Sequence, residues 1–168
     1  MRFTSSYSSP VGKLLLASDG ESLTGLWLEG QKYYAAGLCT DAEERRGLPV
    51  FLQTKGWLDR YFKGEHSDPQ NLPLCATGSP FRIQIWKLLL QIPYGEIITY
   101  GQLAKLYEQT TGKSTSARAV GGAVGRNPIS IIVPCHRVVG ANGKLVGYAG
   151  GMKKKEWLLS LEKNESIL

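Results

Sequence analysis

Residues 79–125 read SPFRIQIWKLLLQIPYGEIITYGQLAKLYEQTTGKSTSARAVGGAVG, and the fold follows from how this stretch is punctuated. Ser79 stands as a helix N-cap with Pro80 at the first helical position. Phe81, Ile85, Leu88, Leu89 and Ile92 then share one face, the pattern of a core helix. Pro93-Tyr94-Gly95 ends it in a turn. Thr99, with Gln102 three residues later, forms a capping-box pattern, so a short helix starts there with Leu103 and Leu106 facing inward. Residues 114–116 cap a third helix over 117–125. Two short helices joined by a turn, after a longer one, predict a helix-turn-helix.

The third helix consists of Ala, Gly and Val with one arginine, Arg118. Gly121, Gly122 and Gly125 each weaken it by about 1 kcal/mol relative to alanine, so something requires small residues there. Tight packing of helix on helix is one reason. Close approach of the helix to a groove wall is the other, and the two are compatible on opposite faces.

Toward the N-terminus, residues 65–77 have turn-rich linker composition, with Asp68, Pro69, Asn71 and Pro73, and put a domain boundary after residue 76. Residues 48–62 carry Phe51, Leu58, Tyr61 and Phe62 at helical spacing, with Gly64 as a stop. Residues 2–6, 12–18 and 23–28 read as strands, the last two joined by an Asp19-Gly20 turn. The expected class is α/β of the α+β kind. A small N-terminal module (1–76) holds an antiparallel sheet and a helix, and a mainly helical C-terminal domain (77–168) carries a helix-turn-helix or winged-helix-like element.

With 42% hydrophobic and 20% charged residues, the composition is that of a globular protein and excludes disorder as the default. No apolar run approaches a bilayer span, and the first ten residues lack the order of a signal peptide. No membrane partner is therefore expected, and the location should be cytoplasmic, or nuclear in a eukaryote. Cys39, Cys75 and Cys135 show no CxxC spacing, and His66 and His136 lie far apart, so neither a disulfide framework nor a metal site is expected. From Ile85 onward 11 Lys and Arg face 5 Glu and no Asp, whereas the residues before it balance at 9 against 9. The basic excess sits where a nucleic-acid surface would need it, and a solvated basic face gives the same count.

Residues 129–133 are apolar and β-branched, which predicts a buried strand or strand-like segment that delivers Pro134-Cys135-His136-Arg137-Val138. A free thiol has a pKa of about 8.5 and reacts as the thiolate, so a neighbouring base or cation activates it; His136 and Arg137 are candidates for both roles. Adjacent strand residues point to opposite faces, so contact between Cys135 and His136 needs a turn or a bridging water. Taken alone, such a pair is more often a structural cysteine beside an unrelated histidine.

The neighbourhood changes that balance. Arg118-Ala119-Val120-Gly121-Gly122-Ala123, Asn127-Pro128, Pro134-Cys135-His136-Arg137-Val138, Gly147-Tyr148-Ala149-Gly150-Gly151 and Lys155-Glu156-Trp157-Leu158-Leu159 with Glu162 follow one another in order. Together they resemble the O6-alkylguanine-DNA alkyltransferases, over roughly residues 79–163. The resemblance implies that Cys135 accepts the alkyl group, that His136 deprotonates it through a water, and that Glu162 orients the histidine. Asn127 would organise the turn at the active site, and Tyr148 would donate to the guanine as it leaves. Tyr100 would help rotate the damaged nucleotide outward and Arg118 would fill the vacated stack, with Val138 and Ala149 also lining the substrate. Thr99, Gln102, Ala119, Gly121, Gly122, Ala123 and Arg126 would contact DNA, with the small-residue helix in the minor groove.

The implied activity is direct-reversal repair by a methylated-DNA–protein-cysteine S-methyltransferase: one irreversible transfer from O6-alkylguanine, secondarily O4-alkylthymine, in double-stranded DNA. No cofactor is required, a monomer suffices, and the N-terminal module should be ribonuclease H-like. Two departures from the family stand out. Ala149 replaces a serine common in relatives, so the backbone amide there must serve without a hydroxyl. The N-terminal half lacks the Cys and His arrangement that binds zinc in some of them. A non-catalytic relative that only binds alkylated DNA would lack the acceptor cysteine. A cysteine hydrolase would have no purpose for the arginine finger, and a repressor helix would carry base-reading polar side chains. Lys153, Lys154 and Lys155 are expected on a solvated face, outside the site.

Overall fold

Reversals at Gly12 (φ 104°) and Gly20 (φ 106°), both in the left-handed region that glycine enters without cost, fold the first 28 residues into a meander. The computed structural model describes residues 1–163. Strand β1 (Phe3–Ser9) pairs antiparallel with β2 (Gly12–Ser18), from Phe3 opposite Ser18 to Ser9 opposite Gly12. β2 pairs antiparallel with β3 (Leu23–Leu28), with a shift in register at Ala17 and Ser18. The two-residue strand β4 (Glu43–Glu44) joins β1 in parallel, giving the order β3-β2-β1-β4. The sheet is therefore mixed rather than purely antiparallel, because two exposed glutamates give no strand pattern to read. The first strand also runs on to Ser9, since Ser8 and Ser9 pair outward toward the turn.

Helix α1 (Pro49–Phe62) turns Val50, Phe51, Thr54, Trp57, Leu58 and Tyr61 inward. They meet Leu14, Leu16, Leu23, Leu26 and Leu28, all fully buried, and each such leucine contributes about 1.5–3 kcal/mol. The chain divides into two compact units, Met1–Thr77 with Pro128–Ser130, and Gly78–Asn127 with the residues from Ile131 onward. The segment Pro128–Ser130 belongs to the first because it flanks β3: Leu26 N–H donates to the Pro128 carbonyl at 2.8 Å and Ser130 N–H to the Leu26 carbonyl at 2.9 Å. A cut near residue 76 omits it, since a pairing across a hundred residues leaves no local signal.

In the second unit, α2 (Pro80–Leu89) is capped by Ser79 and buries Ile85, Trp86, Leu88 and Leu89. After β5 (Ile98–Thr99) come α3 (Tyr100–Thr111), a turn at Gly112 (φ 74°), and α4 (Ala117–Gly125), capped by Ser116. The capping box closes as read, with Gln102 N–H on Thr99 Oγ1 at 3.0 Å and Thr99 N–H on Gln102 Oε1 at 2.9 Å. Trp86 Nε1 donates to the Ala123 carbonyl at 2.9 Å and ties α2 to α4. Residues 130–133 are a buried turn, not a strand. A 3-10 turn, Cys135–Arg137, then leads into β6 (Val138–Val139), and α5 (Met152–Glu162) ends the described chain.

Candidate active site

The apolar run before the thiol fails to form a strand because it reverses at Ile131, which holds φ 73°. For a β-branched residue this is strained by about 1–3 kcal/mol, and such strain persists only where the surroundings impose it. Asn127 supplies part of that constraint: it is buried, and its Nδ2 donates to the Val133 carbonyl at 2.8 Å. The following 3-10 turn buries Cys135, His136 and Arg137 together. The parallel pairing of β5 with β6, Ile98 on Val138 and Thr99 on Val139, brings the start of α3 beside that turn. Tyr100 is thereby close enough for the charge of a Cys135 thiolate to oppose ionisation of its phenol, in addition to the larger effect of burial.

Cys135 is 4% exposed. Burial pushes its thiol above the ordinary value, against a hydrogen bond from Asn127, the charge of Lys155, its own backbone amide and the Tyr148 hydroxyl. Burial wins, so the resting group is a protonated thiol, and these neighbours stabilise the thiolate once the proton leaves. The Tyr148 hydroxyl meets no partner in full hydrogen-bond geometry among the described residues. Burial first, then the facing Cys135 sulfur, hold it far above the ordinary phenol range, so it keeps its proton and serves as a donor.

His136 is fully buried, and its Nε2 lies 2.5 Å from Glu162 Oε2. With Nε2–H given to the carboxylate, Nδ1 carries the lone pair that can take a proton. Burial lowers the imidazole's basicity; Glu162 raises it again, and Arg137 and Lys155 lower it, leaving the ring neutral at neutral pH. For Glu162 burial works upward and is outweighed by His136 and Arg137, so the carboxyl stays far below the usual carboxylate range.

Arg137, expected to act on the thiol, instead donates from Nε to Glu162 Oε1 at 2.7 Å and from Nη1 to the Ile92 carbonyl at 2.6 Å. Lys155 corrects a second expectation. It is fully buried, and its Nζ donates to the carbonyls of Val138 at 2.6 Å, Gly147 at 3.1 Å and Val146 at 3.2 Å. The signal was present in the helical period, because Lys155, Leu158, Leu159 and Glu162 form the buried stripe of α5 at i, i+3, i+4 and i+7. Gly95, read only as a turn, donates its N–H to Glu162 Oε1 at 3.1 Å.

On α4, Arg118, Ala119 and Gly122 are exposed, as is Arg126 just beyond it, while Gly121 is half-buried. An added methyl at Gly121 would touch the Tyr100 ring at 3.8 Å, ordinary contact, and at Gly122 or Gly125 it would meet nothing within 4 Å. Packing inside the chain therefore does not require these glycines. Ala123 leaves the surface set, since it is 3% exposed and packs on α2, and Val138, expected to line the substrate, is fully buried with its carbonyl on Lys155. Ala149 is half-buried beside Tyr148. Among the described residues no group of three or more His, Cys, Asp or Glu could hold a metal ion.

A buried thiol beside a carboxylate-held imidazole and a glycine-rich helix has close counterparts. Residues 3–76 match the 6-O-methylguanine DNA methyltransferase ribonuclease-like domain, and residues 80–164 the DNA binding domain of the same family. A methylated-DNA–protein-cysteine methyltransferase of Haemophilus influenzae is 45% identical over 157 residues, spanning 94% of this chain and 84% of that one. The Mycobacterium leprae protein of the same name is 44% identical over 163 residues, 96% and 93% of the two chains. The crystal structure of Mycobacterium tuberculosis OGT in complex with DNA superposes with a TM-score of 0.83 at 42% identity, covering 97% of this chain and 92% of that one. Both halves of the sequence and the fold agree, and the chain belongs to the 6-O-methylguanine DNA methyltransferase family.

Proposed function

We propose that this protein removes an alkyl group from O6 of guanine in double-stranded DNA by transferring it irreversibly to its own Cys135. The observation that carries this reading is that one turn buries Cys135 and His136 together, with the imidazole Nε2 2.5 Å from Glu162 Oε2; burial favours the protonated thiol and the neutral ring. Such a set stores a nucleophile that is inert until a substrate fills the pocket. His136, through a water, takes the thiol proton. The sulfur attacks the alkyl carbon, the carbon–oxygen bond breaks, and its electron pair passes into the guanine, which takes a proton from Tyr148. The imidazolium returns a proton toward the phenolate, so the products are S-alkylcysteine and unmodified guanine. Donation to the developing negative charge is worth several kcal/mol in comparable sites.

A thiol this deeply buried cannot reach a base inside a duplex, so the nucleotide must be turned out. Tyr100 stands at the start of α3 beside the site, and exposed Arg118 at the start of α4 can replace the lost stacking. Gly122, with open space over it, and Gly121, half-buried against Tyr100, let α4 approach a minor-groove floor, and Thr99, Gln102, Ala119 and Arg126 flank it. Ala149 offers its backbone amide, and not a hydroxyl, to the alkylated oxygen. Residues 1–76 act as a supporting module and 77–168 as the working domain of a monomer that needs no cofactor. Among the described residues no helix is long and apolar enough to cross a membrane, and the substrate places the protein in the cytoplasm, or in the nucleus of a eukaryote.

Intact-mass measurement after incubation with a duplex containing one O6-methylguanine tests this, with Cys135→Ala in parallel. One methyl adduct per protein, mapping to Cys135 and absent from the variant, is expected. Tight binding without an adduct would leave a lesion-binding protein instead.

A further inference from the structure

One buried charge of the second unit has no part in moving the alkyl group, the guanidinium of Arg137, which is only 7% exposed. It is held from several directions. Its Nε donates to Glu162 Oε1 at 2.7 Å, its Nη1 to the Ile92 carbonyl at 2.6 Å, and its guanidinium carbon lies 5.7 Å from the centre of the Tyr94 ring. The Gly95 N–H fills the same carboxylate oxygen at 3.1 Å. Two donors on Oε1 fix the rotation of a side chain at the end of α5 and turn Oε2 toward His136. Holding the Glu162 carboxylate and the Ile92 carbonyl at once takes two nitrogens of arginine's planar fork, which a lysine lacks.

The charge matters as much as the geometry. His136 is faced by Glu162 and Lys155 from α5 and by Arg137 from its own turn. A bare buried carboxylate at 2.5 Å would make the imidazole strongly basic, and a protonated ring cannot accept the proton of Cys135. We propose that Arg137 is a positioning residue for alkyl transfer: with the Gly95 N–H it fills one oxygen of Glu162, leaves the other to face His136, and sets a fixed positive charge on the far side of that carboxylate. This rests on the alkyl-transfer reading and assigns the role of the residue after the Cys-His pair. The burial of the imidazole and the charges of Arg137 and Lys155, which lower its basicity against Glu162, act in the required direction.

The test is single-turnover transfer from an O6-methylguanine duplex over about pH 5.5–9.5, in wild type, Arg137→Lys and Arg137→Gln, with thermal melting of each. Alongside it, the His136 ring is titrated by NMR in the same proteins. Arg137→Gln should move the acid limb of the rate profile, and the ring titration, to higher pH, so that its deficit is largest in acid and closes in alkali. Arg137→Lys keeps the charge and should lose rate equally at every pH with the limb in place. A limb that stays fixed in Arg137→Gln, or that moves in Arg137→Lys, overturns the proposal. The ring titration needs no transfer: an unmoved His136 in Arg137→Gln overturns the positioning role, whereas a wild type that transfers nothing overturns the reading beneath it. If Arg137→Gln fails to fold, the Arg137→Lys limb still decides.

Discussion

Lys155 Nζ donates to the Val138 carbonyl at 2.6 Å, so β6 is pinned by a cation from inside α5. The same charge opposes the burial that keeps the Cys135 thiol protonated. Lys155→Met keeps an apolar stem of similar length and removes donor and charge together. Stability should fall by about 1–3 kcal/mol, the cost of an unpaired buried acceptor, and alkyl transfer at neutral pH should slow. Urea denaturation and single-turnover rates check the two effects. A stability loss without a rate change would make Lys155 a brace alone.

Gly122 separates the demands of the fold from those of the proposed DNA surface. A methyl there meets nothing within 4 Å, and alanine is the better helix former by about 1 kcal/mol. Gly122→Ala should raise the melting temperature. Gly122→Leu should fold normally yet bind duplex DNA markedly less well. Thermal melts and a binding titration at fixed salt decide between the fold and the groove as the reason for this glycine.

Much of this was legible in sequence because it is local. The caps at Ser79, Thr99 and Ser116 and the glycine-rich helix are written within a few residues of where they act, and the order of motifs around Cys135 was enough to name the family. What escaped was non-local. Pro128–Ser130 joins the first unit through β3, and β4 is too short and too charged to show a strand period. The β-branched run before the thiol reads as a strand, but Ile131 reverses it under constraints that include Asn127, six residues before Val133. Lys155 reads as solvent-facing from its lysine neighbours, although its spacing from Leu158, Leu159 and Glu162 places it on the buried stripe.

At alkaline pH the site should become a liability. Burial holds the Tyr148 phenol well above its ordinary value of 10.0 and the Cys135 thiol above 9.0. The folded protein therefore keeps protons that the unfolded chain releases, and stability falls as pH rises through those unfolded values. Tyr148→Phe cannot ionise in either state. Its stability should decline less steeply above about pH 10 than that of wild type; parallel curves from urea denaturation would show that Tyr148 titrates normally.

Glu162 sets the opposite limit. Against the effect of burial, His136 and Arg137 hold its carboxyl far below the ordinary value of 4.5. The stability it contributes is present in full above that unfolded value and drains away as pH falls through it toward the folded one. Glu162→Gln removes this contribution at every pH and leaves Arg137 buried without its anion, at a cost of about 3–5 kcal/mol near neutrality. The gap between wild type and Glu162→Gln should therefore narrow steadily below about pH 4.5. His136 works in both proteins and more strongly in Glu162→Gln: burial lowers its basicity below the unfolded value of 6.5, and the variant lacks the carboxylate that raises it again. Unfolding free energies measured at intervals between about pH 3 and 7 give the gap directly, and a gap that does not change with pH would mean that the His136–Glu162–Arg137 cluster contributes packing and no charge.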